Sequence, residues 1–317
     1  MGVVPSNIPE KLKGRYPEVE CESSKSFLLA HSINELNKMP IQTSEASTSS
    51  FKVFAHEFNS VMLTAHLFEN LLMLEDVRHE NNGHDWFQIE IPEEYFRYPA
   101  ENDPRNYGGQ DTPRMSDEDR RAISAVVRKS KEMANYANDE NFAKNNLHKL
   151  EFISIFSFLE SFIENVQVEV LGVSREDASK SVRYASLPNA MEGTFEKIDP
   201  DINIFIKNIL YDFYDFMKFS YLLRNLHSHN LGRVTQRFFD MCEKEGLLKD
   251  DYGIKEDGEK IFFGKIVRFT GYRRTIELDK YINLSDISFV FRNYARECIF
   301  IAEQYIEARV QVNSSQH

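Results

Sequence analysis

The sequence predicts a mostly α-helical protein with a β-hairpin inserted before its last helix. Three observations predict it. Long stretches repeat apolar residues at steps of three and four, the spacing of one helix face. One stretch, 252–278, switches to a strand pattern with turn signals at Asp257-Gly258 and Thr270-Gly271. No apolar run is long enough to span a bilayer.

The elements follow in order. Residues 1–50 carry scattered apolar positions and end Ser/Thr-rich from Thr43 to Ser50, which reads partly as loop or poorly ordered chain. Phe51, Phe54, Phe58, Met62, Ala65, Phe68 and Leu72 predict a helix to about Glu75. Residues 81–116 are rich in Pro and Gly and read as a long loop, with a short strand at Trp86–Ile91. Ser116, followed by three acids, starts a helix to about Asn138. Leu150, Ile153, Phe156, Leu159, Ile163, Val166 and Val170 mark a strong helix from Leu147 to Leu171, closed by Gly172, and Ser174 caps a short one after it. Ile202, Phe205, Ile209, Phe213, Phe216, Phe219 and Leu223 predict one long helix from Asp201 to about Leu226. Its phenylalanine stripe reads as core or interface. Residues 233–248 are helical again, and Ser285 caps a last helix to about Val310. The boundary falls near 145. It separates a mostly helical N-terminal region, 1–145, from a helical domain, 146–317.

Charge and cysteine content narrow the function. The 317 residues hold 38 basic and 50 acidic side chains, for a net charge of −12. A strongly acidic chain is a poor general nucleic-acid binder, since phosphate neutralisation needs a basic surface. The charge is uneven, however, with −8 in residues 1–145 and −4 in 146–317. From Lys260 to Arg274 there are five basic residues and no acid, interleaved with Phe262, Phe263, Phe269 and Tyr272. Basic charge beside aromatic faces suits single-stranded nucleic acid, and Lys265, Arg268, Arg273 and Arg274 are candidate RNA contacts. A hairpin with one core face and one solvated face gives the same pattern. Cys21, Cys242 and Cys298 are too few and too far apart for a disulfide framework. The polar N-terminus lacks the apolar core of a signal peptide, so a cytoplasmic protein with no membrane segment is expected.

The segment carrying chemistry is Arg224-Asn225-Leu226-His227-Ser228-His229-Asn230-Leu231-Gly232, at the end of a long apolar-striped helix. A guanidinium that is always charged and a histidine that titrates near neutrality suit phosphate chemistry. Arg stabilises charge on phosphate oxygens while His moves a proton. On a continuous helix Asn225 and His229 share a face, whereas Arg224 and His229 lie about 140° apart. The pair converges only if the helix ends there or a second copy contributes.

The string R-N-x-x-x-H-N-x-G resembles the signature of the HEPN superfamily, over roughly residues 147–310. The resemblance implies an α-helical bundle and, in many members, a metal-independent endoribonuclease acting in toxin–antitoxin pairs, phage defence or CRISPR effectors. It implies that Arg224 stabilises the pentacoordinate phosphate, that His229 is the acid/base, and that Asn225 orients His229 or the phosphate. It also implies attack by the RNA 2′-hydroxyl without metal or other cofactor, and a homodimer that brings two motifs together. Asn230 is carried by the motif. Glu160 and Glu164 on the upstream helix are candidate partners for Arg224. His227 departs from the pattern and is assigned no role.

Other chemistries fit less well. His227 and His229 would point about 200° apart on a helix, with no third ligand near, so no metal site is expected. No Gly-rich phosphate loop, Gly-x-Ser-x-Gly or His-Glu-x-x-His string occurs. The alternative to a nuclease is a non-catalytic HEPN-like module that dimerises and binds nucleotides or protein, including an antitoxin or regulatory partner. The ten acids from Glu69 to Asp103 could shield the basic hairpin.

Overall fold

The computed structural model describes residues 5, 7–16, 40–82, 142–210, 212–254, 260–269 and 272–314. These residues are mostly helical, with a small antiparallel sheet near the C-terminus, as expected. The strand at Trp86–Ile91, the helix from Ser116 and nearly all of the 81–116 loop lie outside the described residues. The helices are α1 (Ser49–Asn82), α2 (Phe142–Glu169), α3 (Arg175–Ala185), α4 (Leu187–Ile198), α5 (Pro200–Ile209), α6 (Phe213–Asn230), α7 (Gln236–Lys244) and α8 (Ser285–Ser314). Among the described residues no helix is long and apolar enough to cross a membrane.

The chain divides into compact units at 146/147, beside the boundary read near 145, and again at 65/66. One unit joins residues 1–65 to 147–317, and the other is 66–146. Residues 7–16 and 40–50 are pinned to α8 by the buried carboxylates of Glu297, Glu303 and Glu307, and to α2 by the exposed carboxylate of Glu169. Glu297 takes both the Arg15 guanidinium (3.0 Å) and the Tyr16 hydroxyl (2.7 Å). Glu307 takes Lys11 (2.8 Å) and the Ser47 hydroxyl (2.9 Å). Glu303 accepts from both the backbone N–H (2.6 Å) and the hydroxyl of Thr48 (2.8 Å), and Glu169 accepts from the backbone N–H groups of Ser49 and Ser50. The first free N–H groups of α1 are thus capped by acids from other helices. The Ser/Thr-rich run read as loose chain is this contact.

Burial pushes the Glu303 carboxyl up to about 7, with the charges of Glu307 and Glu169 adding to it and the Thr48 bonds opposing. Because the folded value is raised above the ordinary 4.5, this group's contribution to stability is complete below 4.5 and is lost as pH rises through about 7. Glu303→Gln keeps an acceptor for the Thr48 N–H and cannot ionise. Thermal melts from about pH 5 to pH 8 are expected to show the variant gaining about 2–3 kcal/mol on the wild type. Parallel pH profiles for the two proteins would refute the assignment.

The core of this unit is aromatic. Phe156 and Phe291 stack at 5.8 Å, Phe216 meets Phe269 edge-on at 5.5 Å, and Phe219 contacts Tyr272 at 6.0 Å. These contacts tie α2 to α8 and α6 to the sheet, and each such pair adds about 0.5–1.5 kcal/mol beyond area burial. Phe205, Phe213, Phe216 and Phe219 are all buried, so the predicted stripe is core.

Two expectations are corrected. The helix drawn from Asp201 to Leu226 is two helices, α5 and α6, broken at 210–212. Leu210 and Phe213 are both buried beside the break, and the Asp212 carboxylate accepts from the Tyr294 hydroxyl at 2.9 Å. Both sides of the turn therefore pack inward while the polar residue at it is satisfied by α8. The inserted β element bears out the strand pattern and its two interruptions, with three strands in the order β1 (Lys249–Ile254), β2 (Lys260–Phe269) and β3 (Tyr272–Ile276). The second correction is at 233–248, where the helix α7 already ends at Lys244, and β1 begins just beyond that stretch, at Lys249. A bulge sits where Asp251 pairs with Gly264 and Tyr252 with Phe262, leaving Phe263 as the extra residue.

Candidate functional site

α6 runs unbroken through Asn230, so its last two turns carry the whole Arg-Asn-His string on regular helix. Asn225 and His229 therefore share a face, and Arg224 and His229 stay about 140° apart. Within one chain, the helix does not bring Arg224 and His229 together.

Arg224 is held on the α2 side. Its Nη1 donates to Asn225 Oδ1 at 3.2 Å, and its Nη2 stands 3.8 Å from Glu160 Oε2. The guanidinium lies 5.7 Å from the centre of the Phe156 ring. Its Nε is buried and makes no hydrogen bond among the described residues. Glu160 is one of the two acids the sequence offered for this role. Burial raises its carboxyl above the ordinary value, Arg224 opposes that rise, and the charge of Glu164 adds to it. Glu164 thus acts on Glu160, and makes no ion pair with Arg224 among the described residues. A pair at this distance with two half-exposed partners is loose, and the guanidinium can be claimed by a better anion. His229 and Asn230 are exposed. The Asn230 carbonyl accepts from the Arg233 N–H at 3.0 Å.

His227 has a structural role that the sequence did not reveal. It is buried, and its ring meets Tyr281 edge-on at 5.7 Å. Burial pushes the imidazole down to about 4, the charge of Lys149 adds, and the backbone at Ile282 opposes. Neither ring nitrogen makes a well-formed hydrogen bond among the described residues. His227 is therefore a neutral packing group at physiological pH. The stability it provides is present above 6.5 and is lost as pH falls through about 4.

The helix closes on Leu231, the left-handed C-cap (φ 52°), and Gly232 follows with φ 88°. Gly232 is required for a second reason. A Cβ there would lie 2.5 Å from His227 Cε1 and 2.6 Å from Tyr281 Cε2. Gly232→Ala is expected to cost about 3 kcal/mol or more, from backbone strain plus overpacking. A denaturation midpoint matching the wild type would contradict this packing.

The four candidate RNA cations are not equivalent. Lys265 bridges Asp250 (2.8 Å) and Glu243 (3.4 Å), and Arg273 holds Asp251 at 2.8 Å. Their charge is largely matched within the fold, because β1 adds acids that the stretch 260–274 does not show. Arg268 is exposed and pairs in register with Arg273. Arg274 is half-buried and engaged. Of the interleaved aromatics, Phe269 and Tyr272 are core, and only Phe262 and Phe263 are exposed.

A second polar cluster was invisible in the sequence. His148 Nδ1 meets both Ser288 Oγ (3.0 Å) and Glu151 Oε2 (3.2 Å), and Arg292 donates to Glu151 Oε1 at 2.6 Å. The residue types match a hydrolase triad, but the arrangement does not. A relay needs the acid on one ring nitrogen and the serine on the other, whereas here both share one nitrogen, and all four side chains are buried. This is a structural network. Among the described residues no group of three or more His, Cys, Asp or Glu side chains is placed to hold a metal ion. Cys242 and Cys298 are free and buried, and burial pushes both thiols up, Cys242 to about 12, while Cys21 lies outside the described residues.

No family model, curated protein or solved structure matches this chain.

Proposed function

We propose that the chain is a metal-independent endoribonuclease of the HEPN type. The observation that carries this reading is the end of α6, where a half-buried, pre-positioned Arg224 and an exposed His229 lie on consecutive turns of one regular helix. Arg224 would leave Glu160 for the scissile phosphate and stabilise the charge that builds on its oxygens. The RNA 2′-hydroxyl attacks phosphorus, and the 5′-oxygen leaves. His229 removes the 2′ proton or delivers one to the leaving oxygen, giving a 2′,3′-cyclic phosphate and a 5′-hydroxyl. Asn225, bonded to Arg224 and on the face of His229, positions both. Since Arg224 and His229 diverge on one helix, the working site is composite. A two-fold homodimer sets Arg224 of one copy near His229 of the other. We place the protein in the cytoplasm, as a toxin or defence effector held by an antitoxin or regulatory partner.

The full chain is expected to cleave total RNA in EDTA. His229→Ala and Arg224→Ala are each expected to lower the rate by at least about a hundredfold. A folded wild type that leaves RNA intact would sink the reading. Growth arrest on expression, relieved by His229→Ala, is the corresponding cellular test. The Arg224–Glu160 contact favours a second reading, in which the guanidinium is a structural tether in a non-catalytic module that dimerises and binds nucleotide or protein. Under it, Arg224→Ala lowers stability and there is no RNA cleavage to lose.

A further inference from the structure

The outer half of the β-sheet carries aromatic side chains that the core does not use. Tyr252, Phe262 and Phe263 are 54%, 53% and 60% exposed. Tyr252 and Phe262 are paired across the strands with rings 5.5 Å apart. Phe263, the extra residue of the bulge, is fixed differently. Its ring occupies the space beside Gly253 where a Cβ would stand, so closely that one would lie 2.2 Å from Phe263 Cε2. Side chains alternate between faces along β1, so Phe263, seated where the Gly253 Cβ would point, lies on the face opposite Tyr252 and Phe262. Exposed rings on both faces of one short ribbon exceed what scattered surface apolar residues require.

The charge around them is unlike that of the rest of the chain. The three strands carry Lys249, Lys260, Lys265, Arg268, Arg273 and Arg274 against Asp250 and Asp251, a net of +4 in a chain whose total is −12. The connecting residues 255–259 hold one lysine and three acids, which leaves the ribbon at +2. Both strand acids are already paired, Asp250 with Lys265 and Asp251 with Arg273. Lys249, Lys260 and Arg268 are exposed and make no ion pair among the described residues. Uncommitted cations beside exposed rings suit a polyanion whose monomers have flat faces. A basic protein partner would meet repulsion there.

We propose that this part of the sheet is a stacking platform for single-stranded RNA. Bases lie on the exposed face of Phe263, and phosphates are met by Lys249 and Arg268, whose register places them on the same face of the sheet. This rests on reading the chain as acting on RNA, and deepens it by locating where the strand is gripped. It also replaces the expected contact set. Lys265 and Arg273 orient the sheet through its own acids, and the binding cations are among those the fold leaves unmatched.

The test uses the full chain carrying His229→Ala, so that binding is read without cleavage, and a fluorescein-labelled oligouridine dodecamer in EDTA. Adding Phe263→Ala is expected to weaken binding by at least about fivefold, the loss of one stacked base, and Phe263→Trp to preserve it. Arg268→Ala is expected to make the slope of log affinity against log salt shallower by about 0.7. Unchanged thermal melts establish that the variants remain folded. The platform is overturned if the chain fails to bind the dodecamer, if Phe263→Ala binds within about twofold of its parent, or if duplex RNA binds as well as the single strand. These outcomes separate from the nuclease reading. RNA bound but left intact by the wild type removes the catalysis and leaves the platform standing. RNA cut at wild-type rate by a chain carrying Phe263→Ala does the reverse.

Discussion

Replacing Arg292 by leucine is expected to cost about 3–5 kcal/mol, the loss seen when one member of a buried ion pair is removed. Its partner, Glu151, has a side chain only 1% exposed, and Arg292 is 6% exposed, with 2.6 Å between them. Burial works to raise the Glu151 carboxyl, but the hydrogen bond from His148 and the charge and hydrogen bond of Arg292 outweigh it and hold the group below its ordinary value. Without Arg292 the carboxylate keeps its burial cost and loses its main counter-charge. It must then protonate or drag water into the contact between α2 and α8. A large fall in denaturation midpoint at unchanged slope is expected. The double variant Glu151→Leu, Arg292→Leu is expected to recover most of the loss, because no stranded charge remains. A single variant within about 1 kcal/mol of the wild type would show that this pair is not a dry one.

The parts of the fold that declare themselves in the sequence are local. The stripe from Leu150 to Val170 on α2 and the Ser174 cap, whose hydroxyl accepts from the Asp177 N–H at 3.1 Å, follow from neighbours within a few residues. For Arg224 the sequence offered Glu160 and Glu164 alike, and only the placement of α2 beside α6 selects Glu160. What was not legible depends on distant partners. Arg15 and Glu297 are 282 residues apart, and Arg292 and Glu151 are 141 apart, so neither pairing has a spacing signal. β1 reads Lys-Asp-Asp-Tyr-Gly-Ile, too polar to announce a strand, and only its pairing with β2 reveals that Asp250 and Asp251 answer Lys265 and Arg273. The break at Leu210–Asp212 contains no Pro or Gly; its one cue is a polar residue in an apolar stripe.

The same long-range placement shapes the pH response. Glu303, raised to about 7, removes stability as pH climbs, while His227, lowered to about 4, removes it as pH falls. Between about pH 4.5 and 6.5 the two slopes oppose one another, and a whole-protein profile there is flatter than either group alone would give. The Glu303→Gln comparison isolates one slope from the other.

Mixing two inactive variants is expected to restore cleavage if the proposed composite site is right. Arg224 and His229 sit about 140° apart on a helix that stays regular through Asn230, so no rotation of one chain aims both at one phosphate. In a two-fold dimer each site would take Arg224 from one copy and His229 from the other. A dimer of Arg224→Ala with His229→Ala then has one intact site and one doubly broken site. After equal mixing and subunit exchange, half the dimers are of this kind, so about one quarter of wild-type activity is expected from two preparations that have almost none alone. Recovery should track exchange, appearing after dilution and reconcentration and failing when the variants are crosslinked beforehand as homodimers. Each variant alone should keep its melting temperature, because Arg224 is only half-buried and His229 is exposed. Active wild type whose variant mixture stays inactive despite proven exchange would place both residues at one phosphate within a single chain. That result would require the last turn of α6 to unwind on binding RNA, with Leu231, already left-handed at φ 52°, as the nearest point from which unwinding could begin.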